Sequence, residues 1–238
     1  MRSYGKNKIW FFLILLIVCL YFEYNDSLKN TLAFNDKKEE YISNSNIPDY
    51  SGEDVIIINN NEPDFVIDFD KSESFEKYGD LDKLGRCTSA ISNIGYDLMP
   101  TTPRESIRDI RPSGFRVARY DIITDGLYLF NRCHLIAYQL TGENDNEKNL
   151  ITCTRHMNAD VMEPYESKVA SYIRKTHNHV LYRVTPIFDG DNLVSKGVQI
   201  EALSLEDNGK GIKFNVFLYN VQPNIEIDYK TGKSKQIK

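Results

Sequence analysis

Between residues 180 and 221 the apolar positions fall in the short, β-branched and aromatic runs of a sheet. Residues 180–187 (VLYRVTPI) read as one strand, and residues 194–203 and 212–221 read as two more. Asp189, Gly190, Asp191 and Asn192 supply a turn after the first of them. Just upstream the period changes: Tyr165, Val169, Tyr172 and Ile173 recur at helical spacing, which predicts a helix over 163–176. Pro164 is compatible with that helix only in its first turn or at a kink. Shorter apolar runs predict strands at 55–58, 115–120 and 126–130, with another short apolar segment at 149–153. Residues 82–99 mix small and apolar side chains and fit either a strand followed by a turn or a short helix. Pro103, Pro112 and Gly114 mark a loop. Strands, then a strand–loop–helix unit, then strands, with no internal repeat, predict an α+β domain whose mostly antiparallel sheet carries a helix.

The first 53 residues break this pattern. Residues 1–8 are polar and basic (Arg2, Lys6, Lys8), and residues 9–22 are unbroken apolar (IWFFLILLIVCLYF). A basic start followed by about 7–15 apolar residues is an export signal, and the run is shorter than the roughly 20 residues a spanning helix needs. Glu23, Tyr24 and Asn25 follow without a small-residue cleavage site, so cleavage and retention as a membrane anchor both stay open. Val18 is too bulky for a lipid-attachment motif at Cys19. Residues 23–53 are rich in Asn, Asp, Ser, Lys and Glu and read as a solvated linker. The expected organisation is therefore 1–22 signal peptide or anchor, 23–53 linker, and 54–238 folded domain, placed outside the cell or on its surface.

Composition supports a real core, with 41% apolar residues, and the 15 tyrosines and 12 phenylalanines suit pleated surfaces. Cys87, Cys133 and Cys153 lie in the domain. Three is an odd number for an oxidising compartment, so at least one free buried thiol is expected, and no CxxC spacing suggests structural zinc. The net charge of −5 argues against passive coating of nucleic acid. That charge is unevenly spread: residues 23–100 carry 17 acidic against 7 basic side chains, whereas residues 101–200 carry 12 against 13. Arg104, Arg108, Arg111, Arg116, Arg119 and Arg132 could thus make a local phosphate-binding face.

One region holds the parts of hydrolysis at phosphorus: a base, a cation and hard oxygen ligands. Arg132 and His134 lie two apart, Asn149 fifteen residues further, Asn158 nine beyond that, and Glu166 eight beyond Asn158. On one helix, eight residues are a little over two turns, so Asn158 and Glu166 would project to nearly the same side. An amide oxygen suits magnesium, which keeps most of its waters. Singly each residue has a plainer role: His134 structural, Asn158 a helix cap, Glu166 a solvated helix face, Arg132 a surface ion pair. His177 and His179 read as exposed residues of a helix-to-strand connection, Asp189 and Asp191 as turn formers, and His156 as pointing away from Asn158. Arg174 reads equally as a phosphate contact or a solvated position.

The segments NRCHL, NEKNLITCTRHMN and PYE resemble the DNA/RNA non-specific endonuclease family. GRCTSA, RPSGF, HVLYRVTPIFDGDNL and FNVFLYNVQPNIEIDY bring the likeness closest to its streptococcal-type DNA-entry branch. The resemblance implies a ββα-metal motif within the sheet domain. It casts His134 as general base, Asn158 as the single protein ligand of magnesium (manganese being an acceptable substitute), and Glu166 as a second, water-mediated contact. Arg132 corresponds to an arginine near the phosphate and Asn149 to a residue supporting the site. Two positions depart from the family's Asp-Arg-Gly-His signature: Asn131 stands for the aspartate and Cys133 for the glycine. The implied activity is magnesium-dependent, largely sequence-non-specific cleavage of DNA, and of RNA as well, with a membrane partner only if the first segment is retained. No protein partner is inferable. Two other readings remain: a surface receptor that captures nucleic acid without cutting it, and a toxin or adhesion module on the same fold.

Overall fold

Three long strands near the end of the chain frame the domain in the computed structural model, which describes residues 47–124 and 126–237. These are β6 (Val180–Ile187), β7 (Gly197–Ser204) and β8 (Lys213–Tyr219), paired as an antiparallel meander. β1 (Val55–Ile57) adds to the outside of β8. β3 (Ala90–Ile94) and then β2 (Phe75–Tyr78) add beyond β6, giving the order β1-β8-β7-β6-β3-β2 with every pair antiparallel. The open stretch 82–99 therefore resolves as strand first, then a short 3-10 turn at Tyr96–Leu98. Pro186, which cannot donate to a ladder, lies beyond the part of β6 that β3 covers, where pairing is to β7 alone.

The two faces of this sheet differ in chemistry, as period-2 alternation requires. On one face Tyr182, Ala202 and Phe214 share a register, as do Val184, Ile200 and Val216, and all six lie in the main apolar core. On the other face Arg183 pairs with Glu201, and Gln199 donates to Asn215 at 2.8 Å. Those polar groups are covered by the segment after β1: the Asp64 amide donates to Glu201, and Asn215 donates to the Glu62 carbonyl. A buried ion pair retained in this way is supported by hydrogen bonds from backbone as well as side chain.

Against the apolar face lies the helix foreseen at 163–176, α2 (Glu163–Thr176), whose buried positions are Glu166, Val169, Ala170 and Ile173. Burying an aliphatic side chain such as Ile173 contributes roughly 1.5–3 kcal/mol. Pro164 is the second residue of α2, directly after a wider helical turn. His177 ends the helix in the left-handed conformation, its amide returning to the Ile173 carbonyl.

Three differences from the sequence reading stand out. Residues 115–120 and 126–130 make only one bridge, Arg119 to Tyr128, before β4 (Phe130–His134) begins. β4 pairs with β5 (Leu150–Thr154) as a separate two-stranded ribbon, with a four-residue helix α1 (Tyr138–Thr141) in the connection. A C-terminal hairpin of β9 (Ile225–Asp228) and β10 (Lys233–Gln236), unannounced by any strong apolar run, packs beside it. Tyr50–Lys238 forms one compact unit. The expected export segment and nearly all of the expected linker lie outside the described residues.

Candidate active site

β4, β5 and α2 follow one another as strand, strand and helix, and the predicted site residues fall within this unit. His134 closes β4 and is buried, with 7% of its surface exposed. Its Nε2 lies 2.8 Å from the Asn144 carbonyl, which can only accept, so Nε2 carries the proton. Its Nδ1 faces the Arg104 guanidinium at 3.4 Å, and that group can only donate. Both neighbours therefore demand the same neutral tautomer, with the Nδ1 lone pair facing Arg104. Burial, and after it the Arg104 charge, hold the His134 pKa down at about 4, against a favourable contribution from the Asn144 bond.

Asn149 holds the chain leaving His134. Its Oδ1 accepts from the Ile136 amide at 2.9 Å, its Nδ2 donates to the Ile136 carbonyl at 3.0 Å, and its own carbonyl accepts from Leu135. Fully buried and doubly bonded, it fixes the direction in which β4 delivers the imidazole.

Arg132 shares the alternation of His134 on β4, but its guanidinium is engaged with a loop. It donates to the carbonyls of Ile110 and Arg108 and lies over the Phe115 ring, 4.2 Å from its centroid. That loop begins with Arg104, the cation that does face His134. Arg104 was legible only as one of six arginines, because nothing in its spacing marks it. The Asn144 carbonyl had no sequence signal at all, since every residue carries one.

Asn158 and Glu166 lie on one continuous helical run, in two kinds of turn. Asn158 falls in a π-helical turn, Met157–Met162, which passes directly into α2. Such wide turns recur at functional sites because they displace one side chain from the regular α surface. The Asn158 amide is half-buried and makes no hydrogen bond among the described residues. Glu166 is buried against the sheet, and burial, with the Glu163 charge added, raises its pKa to about 8; Arg104 acts in the opposite sense. The Arg104 charge thus bears on both the imidazole of β4 and the carboxyl of α2.

The glycine-to-cysteine departure has a structural explanation. Cys133 lies in regular strand, opposite Ile151, and is joined by a disulfide to its diagonal neighbour Cys153, with Cα atoms 5.9 Å apart. Cys87 is the free buried thiol, donating to the Leu150 carbonyl. The other histidines serve the scaffold. His156 bridges Asp54 and Asp160, His177 stacks on Tyr96, and His179 bonds Glu206. Asp189 accepts the Asn192 amide in a turn.

His134, which accepts at Nδ1, and a helical run bearing the Asn158 amide and the Glu166 carboxyl share one strand–strand–helix unit, with the Arg104 guanidinium set against the imidazole from a neighbouring loop. The chain belongs to the DNA/RNA non-specific endonuclease family, whose model matches residues 69–205. Similar folds are known in NucA from Streptococcus agalactiae. Its metal-free structure is 25% identical, covers 81% of this chain and 92% of that one, and has a TM-score of 0.69. The magnesium-bound structure of the same protein is 24% identical, covering 81% and 91%, at a TM-score of 0.68. The Sda1 nuclease with bound zinc is 28% identical, covers 66% of this chain and 79% of that one, and has a TM-score of 0.59. The protein is accordingly an endonuclease, and nucleic acid is its substrate.

Proposed function

We propose that this endonuclease works with one hydrated magnesium ion, cleaves DNA and RNA with little sequence preference, and uses His134 as its general base. The observation that carries this reading is the enforced tautomer of His134, which leaves a proton acceptor beside the Arg104 cation. His134 Nδ1 takes a proton from the attacking water, while the Asn144 carbonyl holds the ring in place through Nε2–H. Arg104 offsets charge on the phosphate. Arg132 holds the loop that presents Arg104, and Asn149 fixes the backbone after His134.

The residues present fit magnesium better than a metal caged by side chains. Among the described residues no group of three His, Cys, Asp or Glu side chains could hold an ion. Magnesium asks for only one or two protein oxygens; the Asn158 amide would supply one, and the Glu166 carboxyl would hold a water of the ion. When bound there it would supply Lewis-acid stabilisation of charge on the phosphate. A magnesium-bound structure of NucA accords with this choice, and manganese is the expected substitute. Contacts to sugar and phosphate dominate such binding, so sequence preference should be slight.

Residues 1–22 carry the chain out of the cell as a signal peptide or anchor, residues 23–53 form a polar flexible linker, and residues 54–238 are the nuclease. Plasmid incubated with the purified chain should be nicked in magnesium and left intact in chelator, and His134→Ala should abolish nicking. Binding without nicking in magnesium would instead establish a receptor, and near-normal cleavage by His134→Ala would remove the assignment of the base.

A further inference from the structure

Immediately before β4 the chain makes an excursion that the hydrolytic reading leaves unused. Residues 115–124 and 126–129 fold as an irregular antiparallel flap: the Tyr120 amide donates to Leu127, the Leu129 amide donates to Ala118, and Arg119 bridges Tyr128. Its inner side is a small separate core in which Ile123, Leu129 and Phe130 pack with Ile225 of β9. That anchorage makes the outer side a fixed surface. There Val117 is 72% exposed and Tyr128 is 47% exposed, with the Arg119 guanidinium over the Tyr128 ring at 5.1 Å from its centroid.

Arg86 and Arg183 elsewhere in the domain pair with Asp82 and Glu201. Arg108, Arg111, Arg116 and Arg119, by contrast, form no ion pair with a carboxylate among the described residues. Arg119, lying over the exposed Tyr128 ring, and Arg116, on the same flap, have no carboxylate partner among the described residues and suit an anion carrying a flat apolar group. Tyr128 lies six residues before His134, so at most about 20 Å of chain separates them.

Resting on the nucleic-acid substrate assigned above, we propose that Tyr128 and Arg119 form a stacking site for an unpaired base of a single-stranded segment, with Arg116 of the same flap towards its phosphates. A base within a duplex is covered on both faces by its neighbours and can offer this surface only its backbone. A splayed base can lie against the ring or the guanidinium, and such stacking tolerates any sequence. The flap thereby favours single strands, loops and ends over continuous duplex at the same catalytic centre.

The test uses the full chain in chelator, where nothing is cut, with a single-stranded oligonucleotide containing 2-aminopurine and with its duplex. Wild-type protein should quench the single-strand fluorescence on binding. Tyr128→Ala should weaken single-strand affinity roughly five- to a hundredfold and abolish the quench. Duplex affinity and plasmid nicking in magnesium should change far less. Tyr128→Trp should restore both affinity and quench, which a merely structural role for the tyrosine would not produce. Unchanged single-strand binding by Tyr128→Ala, or equal losses on both substrates, would overturn the stacking site while leaving the nuclease intact. A wild-type chain that neither binds the oligonucleotide nor nicks plasmid would overturn the nucleic-acid reading itself, and the stacking site with it.

Discussion

The imidazole of His134 and the guanidinium of Arg104 face each other at 3.4 Å, a contact in which the histidine can act only as acceptor. Two groups that both favour positive charge are thus placed so that one stays neutral and the other stays cationic. Arg104→Met should therefore have two separable effects. Loss of a donor aimed at the phosphate should lower kcat by about 10²–10³. Loss of the neighbouring charge should also raise the His134 pKa, because that charge is one of the two influences holding it down. A pH–rate profile would show the acidic limb moving to higher pH in the variant. A variant that loses rate with an unmoved limb would show that Arg104 does not act on the imidazole.

The acidic limb of the wild-type enzyme should itself lie low. His134 is depressed from 6.5 to about 4, so it remains a free base through mildly acidic conditions. The sign for stability is the same. The unfolded chain takes up the proton first, so the folded state loses stability as pH falls from 6.5 towards 4. His134→Phe should flatten that part of the stability curve while abolishing turnover. Denaturant melts at pH 7, 5.5 and 4.5 would measure it. An unchanged slope would mean that the imidazole is not buried as described.

The parts legible in advance were those with strong periodicity. β6 and α2 were readable to the residue because aromatic and β-branched runs and a four–three–one apolar spacing have few alternative explanations. That Asn158 and Glu166 share a helix stood only as a condition in the sequence, and the π turn that joins their segments was not readable, since one wide turn leaves no mark in hydrophobic spacing. The flap before β4 was read as two strands because its residues have β propensity; it pairs at a single bridge because its inner side packs on β9 instead of on a neighbouring strand. The roles of Arg104 and Arg132 depend on a loop of residues 104–112 whose path no local pattern encodes.

Asn149 offers a test of positioning without contact. Its side chain makes two hydrogen bonds to Ile136 in a fully buried setting, so Asn149→Ala leaves a buried donor and acceptor unpaired. A loss of about 1–3 kcal/mol for each orphaned group is expected, with kcat falling and KM for DNA little changed. Asn149→Asp keeps an acceptor for the Ile136 amide but sets a carboxylate against the Ile136 carbonyl, so it should be no better. Thermal melts with steady-state kinetics on both variants would decide. A large rise in KM at constant kcat would place Asn149 in substrate binding instead.

The disulfide between Cys133 and Cys153 ties together the two strands that lead to the base and to the helix. It closes a loop with a sequence separation of 20, which by restricting the unfolded chain should contribute about 3 kcal/mol. Both sulfurs lie in the core, so Cys133→Ala with Cys153→Ala substitutes small apolar groups without placing a polar atom there. The double variant should melt at lower temperature and lose activity at temperatures where the wild type is still folded. At low temperature its pH–rate profile should match the wild type, because neither sulfur is bonded to His134. Reductant should leave the double variant unaffected and destabilise the wild type towards it. If reductant lowers the melting temperature of both proteins equally, the thiol chemistry lies elsewhere. If reduction of the wild type shifts the acidic limb of its profile, the disulfide sets the environment of the base in addition to holding its strand.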